Sequence, residues 1–148
     1  MGTPGRVAAP SWFTTDALVG LLAVATAAVA GYVGVLWLVK IDDGLELLIT
    51  LPLSACAVAL AAAVRAWGAE AGSEVATGLR IWLGSVVAWA ALGLVLVAGA
   101  GSVARAPGGV VAFTMFGGAQ TLVGTIVGVA PVVLVRRFDG WVQQRRSP

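Results

Sequence analysis

The sequence predicts an all-α integral membrane protein: a bundle of four antiparallel transmembrane helices with short loops, both termini cytoplasmic. Three observations predict it. Of the 148 residues, 59% are hydrophobic and only 11% charged, against about 25% charged in a soluble domain, so the chain cannot cover itself with polar surface. Four apolar stretches, at about 16–39, 45–67, 79–98 and 110–135, are long enough at ~1.5 Å per residue to cross or nearly cross a ~30 Å hydrocarbon core. Basic residues are distributed unevenly over the connections, which fixes an orientation. The length suits a single membrane domain over 1–148 and leaves no room for a separate soluble unit.

Met1 to Ser11 is short and rich in Gly and Pro, so it is expected to be poorly ordered. Trp12 and Phe13 read as an interfacial anchor. Thr14 or Thr15 can cap the first span, with Asp16 favourable in its first turn. A signal peptide cleaved near Ala28-Val29-Ala30 is the competing reading. Its basic n-region is thin and the apolar run continues well past that point, so a retained span is favoured. Ala23, Ala27, Ala30 and Gly34 share the spacing of Gly117, Thr121, Gly124 and Gly128. This suggests close packing of spans one and four, or of one of them on a second copy. Trp37 marks the far interface.

Lys40-Ile41-Asp42-Asp43-Gly44-Leu45-Glu46 reads as a tight, solvated acidic turn, since Asp-Gly favours a turn and the run lacks calcium-loop spacing. The second span carries Pro52 between Thr50 and Ser54, which predicts a kink, and ends at Arg65 and Trp67. Its Cys56, the one cysteine, reads as a small buried hydrophobe. Gly68 to Gly78 reads as a polar connector. In the third span Trp82, Ser85, Trp89, Gly93 and Leu96 share a face, and Gly84, Ala88, Ala91 and Val95 the other. Trp82 stands at the belt position. Trp89 stands near the membrane middle, and its N–H calls for a partner such as Gln120, Ser85 or a carbonyl. Core packing is its expected role, with a ligand-pocket wall as the sharper alternative. Gly99 to Gly109 reads as a flexible turn.

The fourth span is the most informative. Stepping about 100° per residue, Thr114, Gly117, Gln120, Thr121, Gly124, Thr125, Gly128 and Pro131 fall in one sector. Small residues let backbones approach and hydroxyl or amide groups bond across a contact, so Gly117, Gln120, Thr121, Gly124 and Gly128, with Trp89, are the candidate packing or pore-lining residues. An amide without partners in hydrocarbon costs several kcal/mol, so Gln120 is expected to face another helix or water. Pro131 removes one backbone donor and is expected to bend the last turns. The span ends in Arg136-Arg137, and Arg136, Arg137, Arg145 and Arg146 with Phe138 and Trp141 form a basic, aromatic tail over 136–148, the candidate lipid-surface element.

With four spans, the termini and middle connection share a side. That side carries Arg6, Arg65, Arg80, Arg136, Arg137, Arg145 and Arg146; the other carries Lys40 and Arg105. The positive-inside rule then places both termini in the cytoplasm and points to a multi-pass protein of the cell membrane. One lysine against eight arginines, with abundant Ala, Gly and Val, suggests a GC-rich genome and a prokaryotic source.

Catalytic constellations are missing. With no histidine there is no Ser-His or Cys-His pair and no common metal ligand. The sequence holds no CxxC, HExxH or Walker A pattern, and no cofactor or metal is expected. The basic surface is too small for nucleic acid. Asp16, Glu46 and Arg80 lie at span edges, unlike the deep carboxylate of a proton-coupled exporter. The expected function is therefore non-enzymatic: an accessory or self-associating subunit of a membrane assembly, in contact with lipid and with other membrane subunits or copies of itself. The alternative is an oligomeric small-solute transporter or channel using Gln120. A lipid-directed enzyme using Asp16 and Glu46 ranks last.

Overall fold

The structure is a computed structural model that describes residues 15–38, 45–99 and 106–146. It contains four helices: α1 (Thr15–Leu38), α2 (Leu45–Gly68), α3 (Glu74–Gly99) and α4 (Ala106–Arg146), with no strand among the described residues. All four are long and apolar enough to cross a membrane. The terminal segment before Thr15, most of the acidic turn and residues 100–105 lie outside the described residues, so the readings of Trp12, Phe13, Asp42 and Asp43 do too.

Two helices are longer than their apolar stretches. α3 begins at Glu74, because Gly72 takes a positive φ of 91° that reverses the chain and Ser73 then opens the helix. The Ser73 carbonyl accepts the Thr77 N–H at 2.9 Å, and the Ser73 hydroxyl donates to the Glu70 carbonyl at 2.8 Å. The connector is therefore five residues shorter at its far end, 74–78 being helical, than composition suggests. α4 runs unbroken over 41 residues, about 60 Å at ~1.5 Å per residue. The basic tail, as far as Arg146, is thus part of the same helix. Pro52 and Pro131 both lie inside helices without ending them.

The helices pack with α1 and α4 at opposite corners. Each of those two lies against both α2 and α3, which touch each other along the short diagonal. Spans one and four therefore do not pack together, contrary to the matched small-residue spacing. Of the α1 stripe only Ala27 is buried, and Ala30 is exposed. The close approaches use other glycines. Side chains at Gly20 and Gly84 would run into the carbonyls of Ile81 and Ala17, which brings α1 and α3 into backbone contact. Gly124 and Gly128 do the same against the carbonyls of Ala55 and Ala59 on α2. Without a hydrophobic drive between helices in lipid, such close backbone packing is a main source of helix association. Val24, Val58, Ala62, Ala66, Ile81, Ala88, Trp89, Val129 and Val132 fill the centre. Cys56 is exposed, so it is not the buried filler its sequence setting implies.

Candidate functional site

Polar side chains concentrate in three places: a seam between α3 and α4, a charged clasp at one end of the bundle, and the outer face of α4.

The seam is built by the hydroxyl and glycine positions of α4. Thr121 is buried and donates to the Gly117 carbonyl at 2.9 Å; Thr125 donates to the Thr121 carbonyl at 2.8 Å. These back-bonds satisfy hydroxyls inside an apolar helix. The Ser85 hydroxyl on α3 lies 2.9 Å from Thr121 Oγ1 and 2.6 Å from the Trp82 carbonyl, two acceptors for its one proton. Trp82 Nε1 donates to the Gly118 carbonyl at 2.8 Å, which ties Trp82 to α4. Trp89 is fully buried, with its indole occupying the space a side chain at Gly117 would need. Its Nε1–H has no hydrogen-bond partner among the described residues; Ser85 bonds Trp82 and Thr121, and Gln120 is exposed. Trp89 thus lies in the core with its N–H unpaired among the described residues.

The clasp was not legible in the sequence. Asp16, only 7% exposed, receives both Nε and Nη2 of Arg65, at 2.9 and 2.5 Å, on one carboxylate oxygen. Arg80 stands 3.7 Å from the other oxygen. Beside it, Arg136 donates to Glu74 at 2.7 Å and to the carbonyls of Ala69 and Trp67 at 2.8 and 2.6 Å. Glu74 also accepts the Gly72 N–H at 2.8 Å, which holds the α2–α3 turn. A planar guanidinium with several fixed donors suits three acceptors from two elements. A recess of about 310 Å³ opens here, lined by Asp16, Val64, Arg65, Gly68, Ala69, Ser73 and Thr77. Arg136 is therefore engaged within the chain, whereas Arg137 and Arg145 are exposed. The Arg145 guanidinium lies 4.0 Å from the Trp141 ring centroid, and Phe138 stands 6.1 Å from Trp141.

The outer face of α4 holds Gln120. The wheel grouped it with Gly117 and Thr121, but the buried side of α4 is Gly117, Gly118, Thr121, Gly124, Thr125, Gly128, Val129 and Val132. That side centres near Thr121, which turns Gln120 and Pro131 to its edge and leaves both exposed. Among the described residues the Gln120 amide has no hydrogen-bond partner. Of the six packing candidates, Gly117, Thr121 and Trp89 thus meet at the α3 contact and Gly124 and Gly128 at the α2 contact, while Gln120 joins neither.

Asp16 and Glu74, the carboxylates best placed for chemistry, are each bound to arginine. Among the described residues no group of three or more Cys, Asp or Glu side chains is placed to hold a metal ion. No protein-family model, curated protein or solved structure matches this chain, so its reading rests on its own residues.

Proposed function

We propose that the chain is a four-span protein of a prokaryotic cell membrane, with antiparallel helices and cytoplasmic termini. In this reading it serves as a non-enzymatic accessory or self-associating subunit of a membrane assembly.

The topology is supported by which ends meet. The start of α1, the end of α2 and the start of α3 gather at Asp16, Arg65 and Arg80, and Arg136 of α4 joins the same end through Glu74. Gly31 meets Thr50, and Gly93 meets Phe113, at the opposite end. The clasp end carries Arg65, Arg80, Arg136, Arg137 and Arg145, the sign of a cytoplasmic face.

The subunit role rests on one observation: Gln120 stands exposed and unpartnered on the outside of α4, in the middle of an apolar surface that includes Phe116, Val123 and Val127. Lipid tails offer an amide nothing, so a neighbouring protein surface is the favourable cover. The seam hydroxyls, by contrast, are already engaged with one another or with the backbone.

Native mass spectrometry of the tagged protein, drawn gently from its host membrane, tests this. Multiples of the 14.9 kDa chain, or the chain with stoichiometric foreign subunits, support it. A lone chain contradicts it.

A transporter or channel made of several copies draws on the same residue, since Gln120 would then line a path between copies. Gln120→Leu would abolish flux in liposomes while assembly survives. Normal transport by the assembled mutant removes Gln120 from any path.

A further inference from the structure

A groove runs between α3 and α4, on the far side of α4 from Gln120. It holds about 420 Å³, with Val75 and Gly78 of α3 on one wall and Leu122, Ile126, Val133 and Leu134 of α4 on the other. Gly78 keeps it open at its floor, where a side chain would press on Val129 and Thr125. Thr125 is the one residue of the lining with a polar side chain, and its hydroxyl donates to the Thr121 carbonyl at 2.8 Å. The groove therefore offers an occupant apolar contact alone. From Leu134 to Leu122 it follows α4 for about 18 Å at ~1.5 Å per residue. That is close to the depth of one leaflet, about half of a ~30 Å hydrocarbon core.

The end at Leu134 lies level with the clasp, and there the same face turns basic. Stepping about 100° per residue, Arg137 falls within about 40° of Ile126 and Val133, and Trp141 about 40° beyond Arg137. Arg137 is exposed, with no hydrogen bond or ion pair among the described residues. Its neighbour Arg136, by contrast, is bonded to Glu74, Ala69 and Trp67. The Arg145 guanidinium folds onto Trp141, 4.0 Å from the ring centroid. Two carboxylates stand near this end. Glu74 is taken by Arg136, and Asp139 lies about 160° round the helix from Arg137.

We propose that this groove binds one anionic phospholipid, an acyl chain lying along α4 and the phosphate on Arg137, with Arg145 as the second cation. The inference goes beyond the subunit role and rests only on the four-span part of that reading. Two features select this occupant. The site is apolar for the depth of one leaflet and then cationic, the polarity of a single lipid molecule entered from that leaflet. A guanidinium holds a phosphate through parallel N–H donors, and a basic patch at the arginine-rich end of a membrane bundle suits anionic headgroups. A spanning helix of another protein, or of a second copy, would need a matching face through the whole ~30 Å core, whereas this groove ends at Leu122. A zwitterionic lipid fills the groove equally well but brings a cation of its own towards Arg137.

The test is native mass spectrometry of the full chain released from detergent micelles, titrated with phosphatidylglycerol and, separately, with phosphatidylcholine of the same acyl chains. The unaltered chain should bind phosphatidylglycerol at least about fivefold more tightly, the effect of one basic residue beside an anionic headgroup. Arg137→Gln should weaken phosphatidylglycerol about fivefold and leave phosphatidylcholine unchanged. Ala130→Trp fills the groove from an exposed position and should weaken both lipids about fivefold or more. Leu60→Trp, on the exposed face of α2, should change neither. Glycerol phosphate, which has the phosphate without the chains, should displace neither lipid at equal concentration. Equal affinity for the two lipids overturns the proposal. So does phosphatidylglycerol binding that is unmoved by Arg137→Gln or by Ala130→Trp, or that glycerol phosphate displaces. Co-flotation of the unaltered chain with phosphatidylglycerol–phosphatidylcholine liposomes checks the span reading separately. A chain that floats and fails these comparisons overturns the lipid site alone; a chain that does not float overturns both.

Discussion

The indole of Trp89 on α3 lies where a side chain at Gly117 of α4 would have to be, with its six-membered and five-membered rings meeting closest to that point. Glycine at 117 is therefore the condition for burying the largest side chain of the core. Gly117→Leu forces Trp89 or α4 to move and is expected to cost at least about 1–3 kcal/mol, as overpacking does. Gly140, with open space around it, is the control: Gly140→Ala is expected to stabilise by up to about 1 kcal/mol through helix propensity. Thermal unfolding in detergent, followed by circular dichroism, reads both. A Gly117→Leu chain as stable as the parent contradicts this packing.

Asp16 and Arg65 are unequal partners. The Asp16 side chain is 9% exposed and the Arg65 side chain 44%. Asp16→Asn frees an arginine that can turn to water. Arg65→Ala leaves a buried carboxylate with only Arg80, 3.7 Å away. The arginine substitution is therefore the more damaging, by about 1–3 kcal/mol, the cost of a buried group losing its partner. Denaturant unfolding of both variants checks the order; equal losses, or a larger loss for Asp16→Asn, would show that burial of Asp16 is not the deciding term.

Arg136 bonds three acceptors, on Trp67, Ala69 and Glu74. A lysine ammonium lacks the planar fork that spans them. Arg136→Lys should loosen the α2–α3 turn, read as faster amide hydrogen exchange over 69–74 and about 1–2 kcal/mol lower stability. The exposed neighbour gives a matched comparison, since Arg137→Lys should change neither quantity measurably. Unchanged exchange in Arg136→Lys removes the clasp as a structural element.

The orientation is tested by reporter fusion. Joined after Pro148, a reporter active only in the cytoplasm should be active, and one active only outside should be silent. The reverse pattern would invert the assignment made from Arg65, Arg80, Arg136, Arg137 and Arg145.

Four helices long and apolar enough to cross a membrane were legible because that property lies in length and composition alone. Gly124 and Gly128 were legible as contact residues because a close crossing admits almost nothing else, and both lie against α2 carbonyls. Gln120 shares the wheel sector of Gly117 and Thr121 yet is exposed, because that small and polar sector is wider than the face a corner helix buries. Which edge turns outward depends on where α2 and α3 stand. The clasp was illegible for a related reason: Arg65 meets Asp16 across 49 residues, and Arg136 meets Glu74 across 62. No local pattern encodes pairs that only the bundle brings together. The helical state of the basic tail was not legible, since charges end an apolar run without ending a helix, and α4 continues to Arg146.

In the proposed assembly protein, not lipid, covers the Gln120 face of α4. The most direct measurement of this is electron paramagnetic resonance of a spin label carried on Gln120→Cys in the native assembly, in a Cys56→Ala background, with Ile126→Cys as the lipid-facing reference. Collisions with oxygen, which concentrates in hydrocarbon, and with a water-soluble nickel complex report what surrounds each label. The expected result is an immobilised label at 120, poorly accessible to both, beside a mobile, oxygen-accessible label at 126. A label at 120 as mobile and as accessible to oxygen as that at 126 would contradict it.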